Sequence, residues 1–136
     1  MPLNRFADEV PVGLGTDWTA SNNAMDMFWE MRLAGLVGKM LADDPTVLPT
    51  ARMLRLATLD GARVLGIDHL VGSVEVGKRA DLLVLDLNQP EMRPLHDPTS
   101  NIVHSASPRS VRDVLVDGEI RVRGGKLLAL PAAWAS

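Results

Sequence analysis

The stretch "VGLGTDWTASNNAMDM", residues 12–27, decides how the rest of the chain is read. It joins an apolar run, two glycines, one carboxylate and an amide-rich turn, and it leads into a segment of helical periodicity. Residues 10–16 are mostly apolar or small, which predicts a strand buried on both faces, as in a parallel sheet or barrel. Asp17 stands at the C-terminal end of that expected strand, with no histidine near it. Two readings fit the position. Asp17, with Thr19, Ser21, Asn22 and Asn23, can satisfy backbone groups in a strand-to-helix turn. Alternatively, it is a functional carboxylate where barrels and doubly wound folds place catalytic groups.

Downstream, residues 24–42 carry Met27, Met31, Ala34, Val37 and Leu41 at three- and four-residue steps. The spacing predicts an amphipathic helix, with Asn23 as N-cap, Asp26 in the first turn, and Gly35 and Gly38 as local weak points. "DDPTVLP" ends it, and residues 50–59 and 61–65 predict one or two further helices closing near Gly66. Beta structure follows. "GSVEVGKRADLLVLD" holds a glycine turn between two short apolar runs, of which "LLVLD" has the form of a buried strand. "QPEMRPLHDP" reads as a proline-rich connection. "VRDVLVDGEIRVRGGKLL" then places beta-rich runs on either side of Asp117-Gly118, a pair that favours a tight hairpin. Arg121 and Arg123 alternate with Ile120 and Val122, so that strand has one wet face and one dry one.

Composition narrows the function classes. The 136 residues are 46% hydrophobic and 23% charged, which is enough for one packed core but short for most two-domain enzymes. A net charge of −3 with scattered basic residues argues against a nucleic-acid partner. No cysteine is present, so any metal must be held by His, Asp or Glu. No apolar run reaches the roughly 20 residues of a membrane span, and the start lacks a signal-peptide pattern; the expectation is a cytoplasmic protein with no membrane partner.

Familiar motifs are mostly excluded. Gly13 and Gly15 form a GxG, but Trp18 occupies the place of the third glycine of a dinucleotide fingerprint. His69, His96 and His104 are too far apart for an HxH or HExxH pair and read as surface or structural residues. No GxSxG is present. Gly13, Gly15, Gly61 and Ala62 read as close-packing positions.

"GLGTDWTASNNAMDMFWEMRLA" resembles the eighth-strand motif of the amidohydrolase superfamily, in the branch of metal-dependent aminohydrolases that includes methylthioadenosine/S-adenosylhomocysteine deaminases and triazine hydrolases. "RMLRLATLDGARVLGI" resembles the helices that follow, "GSVEVGKRADLLVLDLNQPEM" the return into the small beta domain, and "VRDVLVDGEIRVRGGKLL" its closing hairpin. The resemblance runs from about residue 10 to 128.

It implies an α/β fold: the C-terminal part of a (β/α)8 barrel, with the last strand and its helices in residues 1–70, and the C-terminal strands of a small β-sandwich in residues 71–136. It also implies a hydrolase acting on a C–N bond, other than a peptide bond, of a heterocycle such as an adenosine derivative, a guanine-like base or a triazine. Asp17 matches the family's metal-ligating and proton-handling aspartate, on a divalent metal, zinc first and iron second. Trp18, Ser21 and Asn22 are the substrate-binding candidates. Trp18 replaces the glycine that many of these deaminases carry after the aspartate, and two readings fit it: it narrows the pocket or stacks on a heterocycle, or it packs against a neighbouring loop. The HxH, the further histidines and the catalytic glutamate of the family have no match here. Closing a barrel takes about 250 residues, and a zinc site wants at least three protein ligands. The expectation is therefore a C-terminal segment, inactive alone, of an enzyme that forms a homo-oligomer at full length. The alternative is a catalytically inactive truncated module that binds a partner or the rest of a split enzyme; a cyclic-amide hydrolase is a third reading.

Overall fold

A computed structural model describes residues 10–128. The parts of the sequence expectations that fall on residues 1–9 and 129–136 lie outside the described residues. Among the described residues, four α-helices and two short 3-10 helices, Pro90–Met92 and Pro108–Ser110, precede or flank a four-stranded antiparallel sheet. The α-helices are α1 (Met27–Ala42), α2 (Thr50–Leu56), α3 (Leu59–Val64) and α4 (Pro98–His104); the strands are β1 (Leu82–Leu85), β2 (Val111–Val116), β3 (Glu119–Arg123) and β4 (Lys126–Leu127). The strands pair in sequence order.

Helix α1 begins three residues later than its hydrophobic pattern suggests. Its N-cap is Asp26, not Asn23: one Asp26 oxygen accepts from the amides of Phe28 at 2.9 Å and Trp29 at 3.3 Å. These are donors that the first helical turn otherwise leaves without partners. The buried face also differs. Phe28, Met31, Gly35 and Gly38 face the core, while Val37 and Leu41 are exposed. The two glycines expected to weaken the helix are where it is most closely approached. A β-carbon on Gly38 would stand 2.2 Å from Cδ1 of Leu48, and one on Gly35 would stand 3.5 Å from the Met53 sulfur. Their missing side chains let neighbouring residues reach the helix backbone, and the apolar stripe is displaced accordingly.

Phe28, Met31, Leu48, Met53, Leu56, Met92, Val103 and Ala106 form the core, with Leu85 and Val111 packed against its sheet side. Helix α4 was missed by the sequence reading, yet it packs on both α1 and α2. Its signals are local: Asp97 caps it through the amides of Thr99 and Ser100, and Pro98 opens it.

The hairpin at Asp117-Gly118 forms as its sequence predicts, with both residues at positive φ, 52° and 81°. A second tight turn, Gly124-Gly125, joins β3 to β4. In β3 the arginines are exposed and Ile120 and Val122 half-buried, as the alternation predicts. Strand β1 departs from expectation: Leu83 is 59% exposed, because an antiparallel sheet covered on one side leaves alternate side chains bare.

Residues 10–16 do not form the expected strand. A strand is defined by a ladder, and no other extended segment among the described residues pairs with this one. The run is held instead by one backbone bond, Leu14 N–H to the Leu56 carbonyl at 2.9 Å, and by packing of Val12 and Leu14 against the core.

Candidate functional site

The loop after this segment carries every residue singled out as a site candidate. Its upstream anchor is a contact between two glycines. A β-carbon on Gly13 would stand 2.6 Å from the Gly61 α-carbon, so the extended segment lies directly on the backbone of α3. Nothing lies within 4 Å of the corresponding position on Gly15, so close packing accounts for Gly13 and Gly61 but not for Gly15. Ala62 is buried, and Gly72, at φ +92°, could not carry a β-carbon without meeting the Ala62 side chain at 2.9 Å.

The α2–α3 corner that receives Gly13 and Leu14 is itself braced. Asp60 is buried and accepts from three arginines: Arg52, Arg55 at 3.1 Å and Arg63 at 3.1 Å. The sequence reading missed this cluster. Only the Asp60–Arg63 pair has helical spacing that could have suggested it.

The downstream anchor is Asn22. Its side-chain amide donates to the Thr16 carbonyl at 2.9 Å and to Glu30 Oε1 at 2.6 Å, and its carbonyl oxygen accepts from the Ala24 amide at 3.2 Å. The amides of Ser21 and Asn22 both donate to the Trp18 carbonyl at 2.9 Å, closing residues 18–22 into a turn. Both hydrogens of the Asn22 amide are thus spent within the loop, and what Asn22 does here is tie that loop to the first turn of α1. Glu30, the residue that receives it, was not among the sequence candidates.

Between the two anchors, Asp17 adopts φ 57°, in the left-handed region that aspartate tolerates better than most residues. It is exposed and makes no hydrogen bond or ion pair among the described residues. Trp18 is 73% exposed, and Ser21 is exposed beside it. The loop therefore presents a carboxylate, an indole and a hydroxyl to solvent on a backbone fixed at both ends. An accessible carboxylate oxygen suits a divalent metal, but among the described residues no three His, Cys, Asp or Glu side chains come together. Asp17 fits as one ligand of a site; the described residues do not hold a metal by themselves. No helix among them is long and apolar enough to cross a membrane.

Comparison with known proteins gives the family. Residues 2–121 match the model of the amidohydrolase family, and the chain belongs to that family. Over 128 residues it is 46% identical to a 5-methylthioadenosine/S-adenosylhomocysteine deaminase of Desulforudis audaxviator, covering 94% of this chain and 30% of the relative. It resembles the crystal structure of a zinc-bound adenosine deaminase from Xanthomonas campestris, with TM-score 0.92 and 40% identity over 98% of this chain and 30% of the other. The zinc complex of an atrazine chlorohydrolase from Arthrobacter aurescens TC1 matches with TM-score 0.84 and 26% identity, at the same coverage. The chain thus spans about 30% of the length of the relatives it matches. All three are enzymes by name, which lends no support to a non-catalytic module.

Proposed function

We propose that this chain is the C-terminal portion of a metal-dependent hydrolase that removes an amino group from, or otherwise cleaves a C–N bond of, a heterocyclic small molecule, with an adenosine derivative as the leading substrate class. Membership of the amidohydrolase family and 46% identity to a deaminase of adenosine derivatives support the chemistry. The observation that carries the reading onto this chain is the state of Asp17: an exposed carboxylate with no partner among the described residues, on a loop pinned by Leu14 and Gly13 on one side and by Asn22 on the other.

In this reading residues 1–70 complete the end of a barrel and residues 71–136 contribute to a small β-sandwich. Asp17 would hold a divalent metal, zinc by the precedent of the solved relatives. When bound, such a metal lowers the pKa of a coordinated water toward neutrality. Asp17 would also hold the proton of that water and return it to the departing amine, which leaves poorly unless protonated. Trp18 offers a flat apolar face to a heterocycle and Ser21 a hydroxyl, while Asn22 acts by holding the loop. The outer face of α1, with Trp29, Leu33, Leu36 and Met40 exposed, would be covered by the rest of the fold.

The test lies in the DNA upstream of Met1. An in-frame His-X-His there, with hydrolytic deamination of adenosine derivatives by the protein it encodes, supports the reading. An upstream frame without those histidines overturns it.

A further inference from the structure

Asp60 is the one charged residue buried among the described residues, at 6% exposure. Both of its oxygens are engaged across the α2–α3 corner: one accepts from Arg52 Nη1, the other from Arg55 Nη2 and Arg63 Nη1, each of these two at 3.1 Å. Arg52 and Arg55 belong to α2, Asp60 and Arg63 to α3, so the carboxylate clamps the two helices together. The clamp sits beside the socket that receives the segment before Asp17. Arg55 precedes Leu56, the last residue of α2, whose carbonyl is among those that a final helical turn leaves over and accepts from the Leu14 amide at 2.9 Å. Asp60 precedes Gly61, whose α-carbon fills the space a side chain on Gly13 would need. A β-carbon on Gly61 would in turn stand 3.3 Å from the Leu56 carbonyl oxygen. The residues that tie α2 to α3 are thus chain neighbours of the residues that dock Gly13 and Leu14, just upstream of Asp17.

We propose that Asp60 is a positioning residue for the hydrolytic reaction: through its three arginines it fixes the Leu56 carbonyl and the Gly61 backbone, and through them the place of Asp17. The inference rests on the role assigned to Asp17 under the proposed function. Buried ion clusters add little stability over apolar packing of the same volume, and their best-attested use is to select one geometry. An asparagine at position 60 would keep the shape but turn an NH2 group toward guanidinium donors, leaving at least one arginine without its acceptor. The corner then relaxes, and the displaced Asp17 carboxylate serves metal and proton less well, because small misplacements far from the chemistry are costly. Asp60 acts only through the backbone it holds.

The test uses the protein expressed from the complete reading frame, held well below its melting temperature, with Asp60→Asn and Asp60→Glu beside wild type. Three quantities are read: exchange of the Leu14 amide, kcat and KM per bound metal ion for an adenosine derivative, and the visible spectrum of the cobalt(II)-loaded protein. Asp60→Asn is expected to speed Leu14 exchange, to lower kcat about tenfold with KM within about twofold, and to shift the cobalt bands. Asp60→Glu, which keeps the charge, is expected to restore part of each. A substitution that merely unfolded a fraction of the molecules would leave the rate per bound metal and the cobalt spectrum where they were. If Asp60→Asn fails to fold, Arg55→Gln removes one exposed partner and is expected to move all three readouts the same way, with kcat down about threefold. Leu14 exchange unchanged, or faster exchange with kcat and cobalt spectrum as in wild type, overturns the proposal. A wild type that neither retains metal nor deaminates contradicts the role of Asp17 and with it the proposal, and this is seen before any variant is compared.

Discussion

The α-carbon of Gly61 occupies the space that a side chain on Gly13 would need: a β-carbon at position 13 would lie 2.6 Å from it. The obstacle is backbone and cannot rotate away, and the contact sits four residues upstream of Asp17. Gly13→Ala should therefore shift the segment off α3 and destabilise the chain by about 1–3 kcal/mol, in the range of overpacked sites. Gly15→Ala, with nothing within 4 Å, should change little. Paired thermal melts check the contrast; equal melting temperatures for the two variants would contradict the docking.

Asn22 should matter through the loop's order. Asn22→Ala removes the bonds to Thr16, Glu30 and Ala24 together and should speed amide hydrogen exchange in the loop while leaving α2 unchanged. Glu30→Gln keeps an acceptor oxygen for Asn22 and should preserve most of the protection, whereas Glu30→Ala should not. Exchange rates indifferent to all three changes would remove Asn22 as the tie.

The Gly124-Gly125 turn carries a pH signature. The Gly124 amide donates to Asp113 at 2.9 Å, and this bond, with Arg112 beside it, holds the Asp113 carboxyl below its ordinary value. A group whose folded pKa is depressed stabilises the fold above its unfolded pKa, about 3.9 for aspartate, and loses that contribution as pH falls through the folded value. The Gly124 amide signal should thus stay constant through neutral pH and move only in acid, with a midpoint under the ordinary aspartate value. A midpoint at or above that value would contradict the assignment.

Trp18 makes a prediction about selectivity. Its side chain is 73% exposed, so Trp18→Gly should cost little stability, within about 0.5 kcal/mol. In the active protein it should alter the preference among purines, pterins and triazines more than turnover of the best substrate. Unchanged selectivity would reduce Trp18 to a surface aromatic.

The legible parts of the fold were those with local causes. The Asp117-Gly118 turn, the alternation in β3 and the existence of α1 follow from neighbours in sequence, and all are present. The buried face of α1 is not legible from helix propensity, because tertiary contact with Met53 and Leu48 decides the place of Gly35 and Gly38. Helix α4 was hidden by its prolines and its short length, although Asp97-Pro98 marks its start. Residues 10–16 have the composition of a strand but no ladder among the described residues, and composition cannot supply a partner. In the loop, the family motif pointed to Asp17 and Trp18; the tie from Asn22 to Glu30 and the arginines around Asp60 depend on contacts that spacing does not reveal.

The central claim is that Asp17 is a working ligand and proton carrier in a hydrolase of C–N bonds. The most direct measurement compares wild type and Asp17→Asn, expressed from the complete reading frame, for zinc content and for deamination of an adenosine derivative. The account predicts turnover reduced by about a hundredfold or more, with weakened zinc retention and a comparable melting temperature. Zinc content and turnover within about twofold of wild type, far short of the loss expected for a positioned acid–base group, would contradict it.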